Sequence, residues 1–233
     1  LRRLESGDVS YPLVLANVLQ ALDEGAIQVW MKNGEVASQL ATTGWDGGIA
    51  YNPDADYVYY TDTNMGYNKV DSVLERTLDF HVDWPAGDGP ATATATMTYR
   101  HPIAAEGHIC DQSPRYGTSY DEMAARCYFD YVRLHVPGGS RLLNVTGLEG
   151  DSISSARSER GTERFGGYFV MPPGTEHTVS FTYELPERIT PENYALTIQR
   201  QSGTNALPVT VSVTPHELST TLAARELAWT PAQ

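Results

Sequence analysis

Residues 91–100 read ATATATMTYR. Small and β-branched residues alternate there with a period of two, the signature of a strand with one face turned inward. A second strand is predicted just upstream, over Val70–Trp84, with the turn-rich PAGDGP between the two. Downstream, Tyr128–Val136 (YFDYVRLHV) is followed by Pro137-Gly138-Gly139 and then by Ser140–Val145, a hairpin pattern. Phe165–Met171 and Glu176–Leu185 flank PPGT, a second hairpin pattern, and Asn193–Gln201 and Leu207–Thr214 flank SGTNA, a third. One more strand is expected over Leu222–Trp229. Roughly eight short strands at close intervals predict a mainly β chain, an antiparallel β-sandwich that is Ig-like in a loose sense.

The first part has another texture. Tyr11–Glu24 carries apolar residues at Leu15, Val18, Leu19 and Leu22, a helical spacing, with Ser10 before it and Gly25 after. Ala26–Met31 reads as a short strand, and Glu35–Thr42 as a second helix stopped near Gly44. The chain therefore divides into an α/β segment over 1–69 and a β-sandwich over 70–233. The segment is either the end of an upstream domain or a brace packed on the sheet.

Lys and Arg number 16 against 29 Asp and Glu in 233 residues, a formal net charge of −13. Such a chain repels phosphate backbones, which excludes a generic nucleic-acid binder. No apolar run approaches the ~20 residues needed to span a bilayer. The sequence starts at Leu1 without a signal-peptide pattern, so targeting and any membrane anchor are expected upstream.

Cys110 and Cys127 bracket a polar stretch within the long loop Pro102–Ala125. In an exported protein this spacing suits a disulfide that pins the loop; the alternative is two separate buried thiols. Asn144-Val145-Thr146 is a glycosylation sequon, a further mark of export. A second long polar loop is expected over Gly147–Arg164.

Three constellations could carry chemistry. Asp46, Asn52, Asp54, Asp56, Asp62 and Asn64 lie in one Gly-rich stretch. Closely spaced hard oxygens suit calcium, the one candidate cofactor, with Asp46, Asp54, Asp56 and Asp62 as ligands; alternatively these side chains shape turns. Asn64, Asn68 and Lys69 could form an internal amide cross-link, activated by Asp71 or Glu75, or could shape a turn with Lys69 in a salt bridge. Tyr57 and Tyr59 fall on one strand face and could stack against a sugar or a protein, or pack beneath the sandwich edge. Arg133, mid-strand, is expected to pair with a buried carboxylate. The six histidines are scattered without H-E-x-x-H, and there is no G-x-S-x-G, Walker A loop or G-x-G-x-x-G. The known signatures of zinc hydrolases, serine hydrolases and nucleotide binders are thus missing.

The order of motifs is GWDGGIAYNPDADYVYYTDTNMGYNKVD (44–71), LERTLDFHV (74–82), TMTYRHP (96–102), YVRLHVPGGSRLL (131–143), YFVMPPGTEHTVSFTYELP (168–186) and YALTIQRQSGTNALPVTVSVTP (194–215). This order resembles the C-terminal half of the bacterial family named domain of unknown function 4012, from about Leu13 to Pro215. The resemblance implies a membrane-anchored envelope protein with its bulk outside the cell, often encoded among surface-polysaccharide genes. It implies no established activity, and any catalytic pocket would lie in the family's N-terminal half.

Three expectations follow. The first is a non-catalytic extracellular module contacting envelope glycopolymer or a neighbouring surface protein. The second is an accessory part of an enzyme that transfers or modifies envelope polysaccharide, with its catalytic half upstream. The third is a subunit of a surface assembly, self-associating through the end strand Leu222–Trp229.

Overall fold

The computed structural model describes residues 10–87, 89–113, 117 and 119–231. Twelve strands among them form two six-stranded sheets that face each other as a sandwich. The strands are β1 (Asp56–Thr61), β2 (Glu75–Asp83), β3 (Thr92–Arg100), β4 (Tyr128–Val136), β5 (Arg141–Thr146) and β6 (Ser154–Arg157). They continue as β7 (Glu163–Met171), β8 (Glu176–Glu184), β9 (Leu196–Gln199), β10 (Leu207–Val213), β11 (His216–Leu222) and β12 (Glu226–Trp229). One sheet has the order β12-β9-β1-β4-β7-β6 and the other β11-β10-β2-β3-β8-β5. Pairing is antiparallel except for one parallel pair in each sheet, β1 with β9 and β2 with β10, so both sheets are mixed.

The alternation in β3 works as a packing device. Ala93, Ala95, Met97 and Tyr99 face inward and are fully or almost fully buried. The small alanines leave room for large rings: Tyr60 reaches across from β1 and donates its hydroxyl to the Ala95 carbonyl at 2.8 Å. Phe181 lies 6.0 Å from Tyr60 and 6.5 Å from Phe165, centroid to centroid. Burying each such side chain stabilises the fold by about 1.5–3 kcal/mol. Outward, Thr94, Thr96 and Thr98 bond side chain to side chain with Thr182, Ser180 and Thr178 of β8.

All three expected hairpins are corners between sheets. β4 and β5, β7 and β8, and β9 and β10 each lie in different sheets. The Pro-Gly clusters mark where the chain reverses, but not which sheet receives the next strand. At Gly138 the corner packs so closely that a Cβ would lie 2.0 Å from the Gly161 carbonyl oxygen. The loop expected over Gly147–Arg164 contains β6, and the C-terminal region folds as two strands, β11 and β12.

β1 sits in the interior of its sheet, so the sandwich begins at Asp56 rather than at Val70. Ahead of it lie α1 (Tyr11–Asp23) and α2 (Gly34–Thr43). Asn33 caps α2 by accepting from Glu35 N and Val36 N, and Gly44 ends it at φ 74°. Ser10 makes no side-chain cap to α1. Ala26–Met31 is not a strand; its backbone donates to Ala21 and Trp45 carbonyls and finds no sheet edge. Of the apolar stripe on α1 only Leu22 is buried, while Leu15, Val18 and Leu19 are exposed.

This leading segment is stapled to the sandwich by polar side chains from the strand ends. Arg200 donates to the Glu24 carbonyl, Arg225 to the carbonyls of Gly44 and Gly48, and Gln199 accepts from Ala50 N at 2.8 Å. No helix of the described residues is long and apolar enough to cross a membrane.

Candidate functional site

The two stretches singled out in the sequence, Asn64–Lys69 and the long loop after β3, meet at one end of the sandwich. Cys110 and Cys127 form a disulfide with Cα atoms 5.3 Å apart. Cys127 immediately precedes β4, so the bridge ties the loop to a core strand. His101, at the start of the loop, is buried and donates Nε2–H to the Arg126 carbonyl near its end, at 3.0 Å. Burial lowers its pKa, which keeps this imidazole neutral. Within the loop, α3 (Tyr120–Ala124) is capped by the Ser119 hydroxyl. Residues 114–116 and 118 of the loop lie outside the described residues.

Beside the bridge opens a cavity of about 410 Å³, lined among others by Asn68, Glu106, His108, Ile109, Asp111 and Phe129. Its back wall is the Asn64–Lys69 turn. Asn64 donates Nδ2–H to Asn68 Oδ1 at 2.8 Å and to Asp71 Oδ2 at 2.7 Å, and accepts from Gly66 N at 2.8 Å. Asn68 donates to the Cys127 carbonyl at 2.9 Å. Gln112 bridges loop and turn through the Met65 carbonyl. A side chain at Gly66 would collide, because its Cβ would lie 2.5 Å from Asn68 Nδ2. Both asparagines hydrogen-bond within or beside the turn, and Lys69 is exposed.

Behind the turn a buried ionic network crosses between the sheets. Arg76 donates Nε–H to Asp62 Oδ2 at 2.7 Å and also approaches Asp71 Oδ1 at 3.2 Å. Tyr99 donates to Asp62 Oδ1 at 2.7 Å and Tyr128 to Asp71 Oδ1 at 2.9 Å. Burial disfavours the Arg76 charge, but Asp62 and its neighbours outweigh it and raise the guanidinium pKa. Asp130 faces the same region from β4, its carboxyl wholly buried beside Tyr128. Burial first, and then the Asp62 charge, push its pKa well above the ordinary carboxylate value.

The four aspartates considered for calcium are dispersed. Asp46 accepts from Gly48 N and lies 3.9 Å from Arg160. Asp54 is exposed in a turn. Asp56 is wholly buried and accepts from the Tyr194 hydroxyl at 2.9 Å and from Tyr57 N at 2.7 Å; burial raises its pKa to about 7. Asp62 serves Arg76. These are four separate tasks rather than one ligand shell.

Tyr57 and Tyr59 share the outer face of their sheet, as the alternation predicts. Tyr57 is nevertheless wholly buried under the leading segment and donates its hydroxyl to Gln199 Oε1 at 2.5 Å. Tyr59 is half-buried against His135, ring centroids 5.6 Å apart. They form no open platform. Arg133 donates to Thr63 Oγ1 at 2.7 Å and lies over the Tyr131 ring, so the buried arginine–carboxylate pair belongs to Arg76 instead. Asn144 is exposed on the edge strand β5, next to a bulge.

Arg76, Asp130 and His108 were missed by the sequence reading. Asp130 did leave a signal, since it falls in phase with the core positions Tyr128, Val132 and Leu134. At the other end of β3, a cleft of about 560 Å³ is lined by Trp84, Glu187, Thr190 and Glu192. No protein-family model matches the chain, and no curated protein matches it.

Proposed function

We propose that this chain is a non-catalytic extracellular module of the cell envelope that holds a surface glycopolymer in the cavity beside the disulfide. The observation that supports the reading is the cavity itself, where a covalently pinned loop sets polar and apolar side chains side by side. A sugar presents hydroxyls at its edge and apolar carbons on its ring face. Glu106, His108 and Asp111 offer polar contacts, and Ile109 and Phe129 offer apolar area. The disulfide fits an oxidising compartment. The net charge of −13 disfavours phosphate-rich polymers, so neutral and amino-sugar glycans are the favoured class. The resemblance to the domain of unknown function 4012 family supports the same setting.

The test is an array of bacterial surface polysaccharides probed with the chain and with Glu106→Ala and His108→Ala variants. The reading predicts retention on neutral or amino-sugar glycans, weakened at least about tenfold by either substitution. Uniform lack of retention would refute it and leave a neighbouring surface protein as the partner to test.

A further inference from the structure

Three metal-ligand side chains converge at the rim of the cavity. The Sγ atoms of Cys110 and Cys127 and a ring nitrogen of His108 all lie within 4.8 Å of one another. Among the described residues no other three His, Cys, Asp or Glu side chains gather in this way. His108 Nδ1 is 3.0 Å from the Ala105 carbonyl oxygen. A carbonyl can only accept, so Nδ1 carries the proton and Nε2 keeps its lone pair. Metal-binding histidines are oriented in the same manner, by a backbone carbonyl that takes the far N–H. Cys127 is buried and anchored at the start of β4, whereas Cys110 and His108 are exposed, which gives both a reductant and an ion a path in.

The geometry points to a zinc site formed by Cys110, Cys127 and His108 when the disulfide is reduced. Two thiolates and one imidazole are a donor set that zinc accepts, and the adjoining cavity leaves its fourth position to water. The chemistry balances with a trialkylphosphine as reductant. The S–S bond breaks, the phosphine is oxidised to its oxide with oxygen from water, and each sulfur gains a proton. Zn²⁺ then displaces both thiol protons into solvent, and His108 adds its Nε2 lone pair. The site does not rest on glycan binding, and the two fail independently.

The intact chain is reduced with a trialkylphosphine under anaerobic conditions and titrated with Co²⁺, then with Zn²⁺. One equivalent of Co²⁺ is expected to produce thiolate-to-metal charge-transfer absorption and the visible bands of tetrahedral cobalt. The two thiol protons leave as Co²⁺ binds, and Zn²⁺ then displaces Co²⁺ and bleaches both bands with no further proton release. The oxidised chain gives neither signal, and His108→Ala weakens binding at least about tenfold. Absence of the bands in the reduced chain would overturn the inference. So would equal bands in the Cys110→Ser/Cys127→Ser variant, unchanged affinity in His108→Ala, or loss of near-ultraviolet circular dichroism on reduction alone.

Discussion

Arg76 Nε lies 2.7 Å from Asp62 Oδ2, with side-chain exposures of 8% and 5%, inside a sandwich that also buries Asp56 and Asp130. A desolvated pair of this kind gains stability only while both charges are present. Arg76→Met should therefore strand Asp62 and cost about 3–5 kcal/mol in urea unfolding at neutral pH. A loss below about 1 kcal/mol, the range of an exposed pair, would contradict the assignment.

Asp130 gives the opposite expectation. Its carboxyl is buried, and burial pushes its pKa well up. Replacing such a group by an apolar one removes a desolvation penalty of about 1–3 kcal/mol. Asp130→Val, which suits a strand position flanked by Tyr128 and Val132, should raise stability at neutral pH. A clear destabilisation would show that the carboxyl has a partner.

Asp56 should set part of the pH dependence. Its folded pKa is about 7 against an ordinary 3.8. The native state thus holds the proton more tightly than the unfolded chain does. Its contribution is fully present below the unfolded value and is lost as pH rises through about 7, amounting to about 4 kcal/mol across that window. Asp56→Asn should remove this slope, so variant minus wild-type stability should grow between pH 4 and pH 8.5. Parallel stability curves would rule the effect out.

How much of this was legible follows from the range of each interaction. The β3 alternation is local, and β2, β3, β4, β5, β7, β8, β9 and β10 lie within or close to the expected stretches, whereas Ala26–Met31 is no strand and β6 and β11 carried no recognised signal. Of the roles the sequence left open for Asn64 and Asn68, a local turn is the one their short-range bonds serve. Sheet membership was not legible at the corners, since a Pro-Gly turn permits either sheet. Tyr57 was placed on its true face, yet its burial depends on Gln199, 142 positions away. His108 stood alone in the sequence, and only the fold sets it beside the two sulfurs.

The disulfide closes a loop with a sequence separation of 17. Loop entropy gives it about 3 kcal/mol. Cys110→Ser/Cys127→Ser should lower thermal stability by that order and open the segment after β3 to proteolysis. Both sheets should persist, because neither depends on the bridge for pairing. Unchanged proteolysis would mean that His101 and the Asn64–Lys69 turn hold the loop unaided.

The most direct test of the glycan reading is to map the contact by backbone amide NMR. The isotope-labelled chain would be titrated with an oligosaccharide fragment of the best-retained array glycan. The account predicts saturable shifts centred on Asn68, Glu106, His108 and Ile109, with little change around Trp84 and Thr190. Shifts gathered at the Trp84 cleft, or none at saturating glycan, would contradict it.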